Sequence, residues 1–149
     1  MNGINLRLKP FKLPISNYKL QNMKFEHFAL NVPDVRAMSR WYMEHLGLRV
    51  VRSREDAPYT QFLADDTGRV IMELYTNPAA AIPDYGAAHP LCFHIAFVAD
   101  DPRATQQRLE QAGARLFLEE NLPDGSLLTM MRDPWGVPLQ LCRRTKPFA

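Results

Sequence analysis

The chain has 149 residues, 46% of them hydrophobic and 23% charged, which is the composition of one globular domain with a core of its own. No apolar run is long enough to span a bilayer or to act as a secretion signal, which predicts a soluble, cytoplasmic protein with no membrane partner. The formal net charge is +2, but residues 1–22 hold four basic side chains and no acid, so the rest of the chain carries about −2. This balance excludes a nucleic-acid-binding body.

Residues 1–22 are the first predicted element, a basic N-terminal arm. Two prolines interrupt the segment, and its apolar residues follow no clear period, which favours an extended chain over a helix. We expect the arm to lie against its own domain or against a partner subunit.

An internal repeat follows the arm, in which "EHFALNVPD" is repeated by "FHIAFVADD". His27 aligns with His94, and Asp34 with Asp101, so each copy has a histidine seven residues before an aspartate. Each copy predicts a strand and then a helix whose N-terminus is capped by that aspartate. Short apolar runs separated by turn residues then predict three strands in each copy.

The order β-α-β-β-β therefore occurs twice, in a first module over residues 23–76 and a second module over residues 91–144. Residues 77–90 form a connector rich in proline and alanine. The sequence leaves open whether the two modules pair within one chain or between two chains.

Strand parity predicts where the two histidines point. Because successive side chains alternate between the faces of a strand, His27 and His94 are both expected to point away from the helix layer, towards the concave side of the sheet. A single core histidine is common, but two at equivalent positions of a repeat favour a shared role.

The last strand of each module adds a polar side chain: "VIMELY" carries Glu73 and "VPLQLC" carries Gln140. Glu73 is five residues after a glycine and Gln140 only four, so the match requires a one-residue bulge or turn difference. A carboxylate inside such a strand needs a cation or several hydrogen-bond donors. The two imidazoles, the carboxylate and the amide form a set that a divalent metal accepts, although a hydrogen-bonded pair in a polar cavity also fits Glu73 and Gln140.

With these residues in view, the sequence resembles the vicinal oxygen chelate superfamily, which includes glyoxalase I, extradiol dioxygenases and bleomycin-resistance proteins. The resemblance covers roughly residues 23–143 and is carried by "HFALNVPD", "HIAFVADD", "HLGL" and "RDPWGVPLQL". It implies an α+β fold in which two tandem βαβββ modules form a curved mixed sheet around a cavity, with the helices on the outer face. It also implies a homodimer, since short members commonly pair modules between chains.

The resemblance further implies a site for a divalent metal ion, which could be Zn, Ni, Fe, Mn or Co. The metal ligands that it carries over are His27, Glu73, His94 and Gln140. Bacterial glyoxalase I has a glutamate at the fourth position, where this chain has an amide. Asn77 matches a position that helps to bind glutathione, whereas Asn31 stands where glyoxalases often have an arginine, which puts glutathione recognition in doubt.

The chemistry shared by the superfamily is chelation of two neighbouring oxygens of a small substrate, with stabilisation of an enediolate-like anion. Glu73 is the only carboxylate of the set and hence the candidate catalytic base, so we expect weak or absent lactoylglutathione lyase activity. Arg52, Tyr75 and Trp135 are further candidates for substrate binding, although each also fits an ordinary core or surface position.

Two functions remain open at this point. One is a small metal-dependent enzyme of the glyoxalase or dioxygenase type. The other is a non-catalytic protein that sequesters a small molecule such as an antibiotic and needs no metal. Metal content separates the two.

Overall fold

The structure is a computed structural model that describes residues 23–148, so the predicted arm over residues 1–22 lies outside the described residues. The order β-α-β-β-β occurs twice, as predicted. The elements are β1 (Phe28–Asn31), α1 (Val35–Leu46), β2 (Arg49–Ser53), β3 (Gln61–Ala64), β4 (Val70–Tyr75), β5 (Ile95–Val98), α2 (Pro102–Gln111), β6 (Arg115–Asn121), β7 (Leu127–Arg132) and β8 (Pro138–Arg143). In this part of the chain, neither helix is long and apolar enough to cross a bilayer.

The strands form two four-stranded sheets, one in each module. Their orders are β1-β4-β3-β2 and β5-β8-β7-β6. The outer pairs β1–β4 and β5–β8 are parallel and the other pairs are antiparallel, so both sheets are mixed. The predicted α+β class with tandem modules is confirmed, and within one chain the two sheets stay separate and open.

Both helices begin at the predicted aspartates. Asp34 Oδ1 accepts a hydrogen bond from the Ala37 backbone N–H at 2.9 Å, and Asp101 Oδ1 accepts from Arg103 and Ala104 at 3.1 Å each. Gly47 ends α1 in the left-handed region with φ 72°, a conformation that glycine adopts without strain. The helix ends were therefore readable from local sequence.

The two modules share one core, because α1 packs against the second module. The Tyr42 hydroxyl, fully buried, donates to Asp133 Oδ2 at 2.8 Å, and Trp41 Nε1 donates to the Ala112 carbonyl at 2.8 Å. These contacts join residues that lie 91 and 71 positions apart in the chain. The core consequently stabilises the arrangement of the two modules as well as each module.

The connector is held against the second module by Arg132. One of its terminal nitrogens donates to the carbonyls of Tyr85 and Gly136 at 2.8 and 2.9 Å, and the other donates to Ala88 at 2.7 Å. Gly136 has φ 86°, and a Cβ there would lie 2.7 Å from the Gly86 backbone nitrogen. The connector therefore follows a defined path along the second module.

Candidate functional site

Equivalent residues of the two modules lie in two matching rows on the sheets. Residues paired directly across neighbouring strands share a face, so the pairings define each row. The first row runs across β1, β4, β3 and β2 through Ala29, Glu73, Phe62 and Arg52. The second row runs across β5, β8, β7 and β6 through Ala96, Gln140, Met130 and Leu118. Glu73 and Gln140 thus hold equivalent places.

A β-bulge produces this equivalence. Leu63 pairs with Met72 and Ala64 pairs with Val70, so Ile71 has no partner in β3. This extra residue in β4 is the one-residue difference that the sequence required between Glu73 and Gln140.

The first module brings its two predicted metal ligands together. His27 Nε2 lies 3.1 Å from Glu73 Oε2, with 25% and 21% of the two side chains exposed. The Phe62 ring packs edge-on against the imidazole with ring centroids 5.3 Å apart, and the Glu26 carboxylate lies beside Nδ1. Two ligand atoms about 2.1 Å from one metal are roughly 3.0–3.4 Å apart, so this nitrogen–oxygen pair fits one side of a metal site.

His94 lies in the equivalent place, immediately before β5, but it is exposed and has a different partner. Its Nδ1 is 3.1 Å from the carbonyl of Pro90, in the connector. Because a carbonyl can only accept, Nδ1 carries the proton in this contact, which leaves the lone pair of the neutral ring on Nε2. This is the tautomer that a metal-binding histidine held by a backbone carbonyl adopts.

Gln140 is partly buried beside a small cavity of about 200 Å³. Burial raises the pKa of the Cys142 thiol, which keeps its proton and donates to Gln140 Oε1 at 3.2 Å. His94 borders a different, larger groove between the modules, of about 1060 Å³. The four predicted ligands are therefore not gathered in one chain, and residues 23–148 hold no group of three or more His, Cys, Asp or Glu side chains placed to bind a metal ion.

The other candidates have varied surroundings. Arg52 is exposed in the first row, and Tyr75, half-buried at the end of β4, pairs with Asn31. Asn77 accepts from the Ala79 N–H through Oδ1 at 3.0 Å, so its side chain stabilises a turn. Trp135 packs edge-on against Trp41 of α1, with ring centroids 6.4 Å apart, which places it at the helix layer.

Comparison with known proteins agrees with this fold. The family model described as the Glyoxalase/Bleomycin resistance protein/Dioxygenase superfamily matches residues 24–141. The chain belongs to this superfamily. A probable lactoylglutathione lyase from Vibrio parahaemolyticus is 26% identical to it over 137 residues, which cover 87% of this chain and 97% of that protein.

Two solved structures have the same fold as this chain, although their sequence identity to it is low. A variant of glyoxalase I from Zea mays is 22% identical with a TM-score of 0.63, and the match covers 81% of this chain and 44% of the maize chain. TnmS3, an antibiotic-binding protein from Streptomyces sp. CB03234, is 18% identical with a TM-score of 0.62, and the match covers 85% and 99% of the two chains. An enzyme and a binding protein thus have the same fold, and function has to be argued from the site.

Sequence reasoning missed Leu118, which sets the second row apart from the first. Leu118 lies opposite Met130 on the sheet, and its equivalent in the first module is Arg52. A signal was present, because Leu118 is the fifth residue after Gly113 and Arg52 the fifth after Gly47. The closure of the cavity by the connector had no such signal, since it depends on tertiary contacts.

Proposed function

We propose that the protein is a metal-dependent enzyme of the glyoxalase type that acts as a homodimer on a small substrate with two neighbouring oxygens. In this proposal, His27 and Glu73 of one chain face His94 and Gln140 of a second copy. The observation that carries it is the 3.1 Å pair of His27 Nε2 and Glu73 Oε2, with Ala96–Gln140 repeating the register of Ala29–Glu73. Each chain has two open sheets, and each sheet carries half of the ligand set. Pairing between two chains would bring the two halves together.

The donor set fits a divalent metal in its chemistry. It would offer two imidazole nitrogens, one carboxylate and one amide oxygen, which suit Zn, Ni, Fe, Mn or Co. The Nδ1 contact of His94 leaves Nε2 free to bind. A bound metal would supply Lewis acidity towards the two oxygens of the substrate.

The residues of the chain have separate tasks in this reaction. Glu73 accepts the proton from the carbon beside the substrate carbonyl, since an amide at position 140 cannot do so. Phe62 shields the imidazole of His27 from water on one side. Arg52, in the same row, offers a positive charge to an anionic part of the substrate. With one carboxylate instead of two, weak or absent lactoylglutathione lyase activity stays our prediction.

Metal content after anaerobic purification tests the proposal. We expect about one metal per chain in the wild type, loss of most of it in His27→Ala, and no loss in the matched control His45→Ala, whose imidazole packs on Trp41 of α1. A wild type that holds no metal and binds none at micromolar concentration would favour the sequestering function instead.

Mixing two variants tests the pairing between chains. A heterodimer of His27→Ala and His94→Ala has both changes in one site and none in the other. Random mixing then restores about one quarter of the wild-type metal content. Pairing within one chain predicts no restoration, because every site then contains one of the two changes.

A further inference from the structure

The cavity beside Gln140 has apolar walls. Its volume is about 200 Å³, and Leu118, Leu128 and Met130 of the second sheet line it together with Phe117. Phe117 is the bulged residue of β6, because Leu116 pairs with Met131 and Leu118 with Met130. Phe117 and Leu118 are 44% and 54% exposed, so the cavity opens to solvent at the edge of the sheet.

The two rows differ in charge at two of the three positions beyond the alanine. The first row has Glu73 and Arg52, whereas the second has Gln140 and Leu118 in their places. The lining of the cavity includes one carboxylate, Glu120, and no lysine or arginine. The second row therefore presents a neutral, apolar surface beside an amide, with the Glu120 carboxylate in the wall of the cavity.

The connector forms the remaining wall and is held in place. His89 and Pro90 of the connector line the cavity, and the His89 ring packs edge-on against Phe117 with ring centroids 5.4 Å apart. Arg132 holds the connector by its bond to the Ala88 carbonyl, and its guanidinium lies over the Phe117 ring at 5.6 Å. The cavity is therefore preformed within one chain, which lowers the ordering cost of binding.

From these observations we infer that the Gln140 cavity is the subsite for an apolar group of the substrate, a six-membered ring or a branched aliphatic chain attached to its oxygen-bearing end. The inference rests on the proposed function for the placement of the reacting end. The size of the Gln140 cavity is suitable for such a group, because a cavity of about 150 Å³ lined by apolar side chains holds benzene. The substrate is thus a small amphipathic molecule, polar against the first row and apolar against the second.

A glutathione conjugate does not fit this subsite. Glutathione carries two carboxylates, whereas the residues that line the cavity include a carboxylate, Glu120, and no lysine or arginine. Asn31 and Asn77 are also engaged: Asn31 Nδ2 donates to the carbonyls of Asn77 and Ala80 at 3.1 and 3.0 Å, and Asn31 Oδ1 accepts from the Asn77 N–H at 2.9 Å. Their polar groups hold the start of the connector.

Binding of 4-fluorotoluene, followed by ¹⁹F NMR on the metal-free protein, tests the subsite. We expect saturable binding to the wild type and at least tenfold weaker binding to Leu118→Arg, which places a charge at the cavity. The matched control is Val51→Arg, the same kind of change at a residue that is 49% exposed on the edge strand of the first module, and we expect it to bind like the wild type. Equal binding by all three proteins overturns the inference.

Two further measurements separate this inference from the proposed function. The His27→Ala variant is expected to lose metal but to bind 4-fluorotoluene like the wild type, so failure of the metal site leaves the subsite standing. S-methylglutathione is expected not to displace the probe. Displacement by S-methylglutathione, or probe binding only when the protein is diluted to monomers, overturns the inference, because the cavity then holds glutathione or a second copy of the chain.

Discussion

Two turns with the same hydrogen bonds differ in their electrostatics. In the first module, Asp65 Oδ1 accepts from the backbone N–H groups of Thr67 and Arg69 at 3.0 and 3.2 Å. In the second module, Asp133 Oδ1 accepts from Trp135 and Val137 at 2.9 and 2.8 Å. The turns are equivalent in the repeat, and each precedes the last strand of its module.

The pKa values of the two carboxyl groups nevertheless move in opposite directions. Hydrogen bonds, first of all from the Thr67 hydroxyl, lower the pKa of Asp65. Burial raises the pKa of Asp133 to about 6, against the lowering effect of its hydrogen bonds. The difference is that α1 covers the second turn, where the Tyr42 hydroxyl bonds to Asp133 Oδ2. The local sequence thus determines the turn, whereas packing determines whether the pKa of its carboxyl group is raised or lowered.

Removing the two aspartates is expected to give the largest contrast. Asp133→Ala leaves three buried donors without an acceptor, so we expect the free energy of unfolding at pH 5 to fall by about 3–5 kcal/mol. Asp65→Ala removes the equivalent bonds in a solvated turn, where water replaces them, and is expected to cost far less. Urea denaturation measures both. Equal losses of unfolding free energy in the two variants would show that the buried contact between Tyr42 and Asp133 does not stabilise the packing of the two modules.

The raised pKa of Asp133 also predicts a pH dependence. Between pH 3.8 and about 6 the folded state holds a proton that the unfolded state has lost, so the free energy of unfolding falls as the pH rises through this range and is level above it. The full effect is about 3 kcal/mol, taken from the pKa difference.

Asp133→Asn removes this titration while keeping the shape of the side chain. The difference in the free energy of unfolding between wild type and Asp133→Asn, measured by urea denaturation from pH 4 to 7.5, should shift in favour of the variant as the pH rises. A difference that does not change with pH would show that Asp133 keeps an ordinary pKa. For Asp65→Asn the change has the opposite sign and lies below pH 3.8, because the pKa of Asp65 is lowered, so its difference from the wild type should stay level between pH 4 and 7.5.

The smallest expected effect comes from placing a carboxylate at position 140, which makes the second row match Glu73 of the first row. Gln140→Glu replaces a neutral amide with a carboxylate, which binds a divalent cation more strongly, so we expect metal affinity to rise about tenfold. Gln106→Glu, the same change on α2, is the control and should leave affinity unchanged. Calorimetric titration with Zn²⁺ measures both. If the two variants have equal affinity, Gln140 does not contact the metal.

The order of elements and the helix caps could be predicted because they depend on neighbours in the sequence. Asp34 and Asp101 cap the helices that follow them, and Gly47 ends α1. The sequence required a one-residue bulge or turn difference between Glu73 and Gln140, and the structure has a bulge at Ile71.

The partners of the site residues could be predicted only in part. His27 and Glu73 lie diagonally across one strand pair, so the register brought them together. His94 contacts the carbonyl of Pro90 only four residues away, but the connector before it is held by Arg132, which donates to the Ala88 carbonyl from 44 residues away. The Arg132 contact joins distant parts of the chain, so it could not be predicted from a local sequence pattern.

The sequence by itself determined the doubled βαβββ order, the caps, and the four polar side chains at equivalent positions of the repeat. Periodicity and capping act over a few residues, so they can be read in a single chain segment. Only the tertiary structure decided that Asp133 is buried under Tyr42, that Gln140 borders an apolar cavity closed by the connector, and that His94 and Gln140 border different cavities. These features arise where segments distant in sequence exclude water together, and burial of that kind depends on the packing of the whole fold.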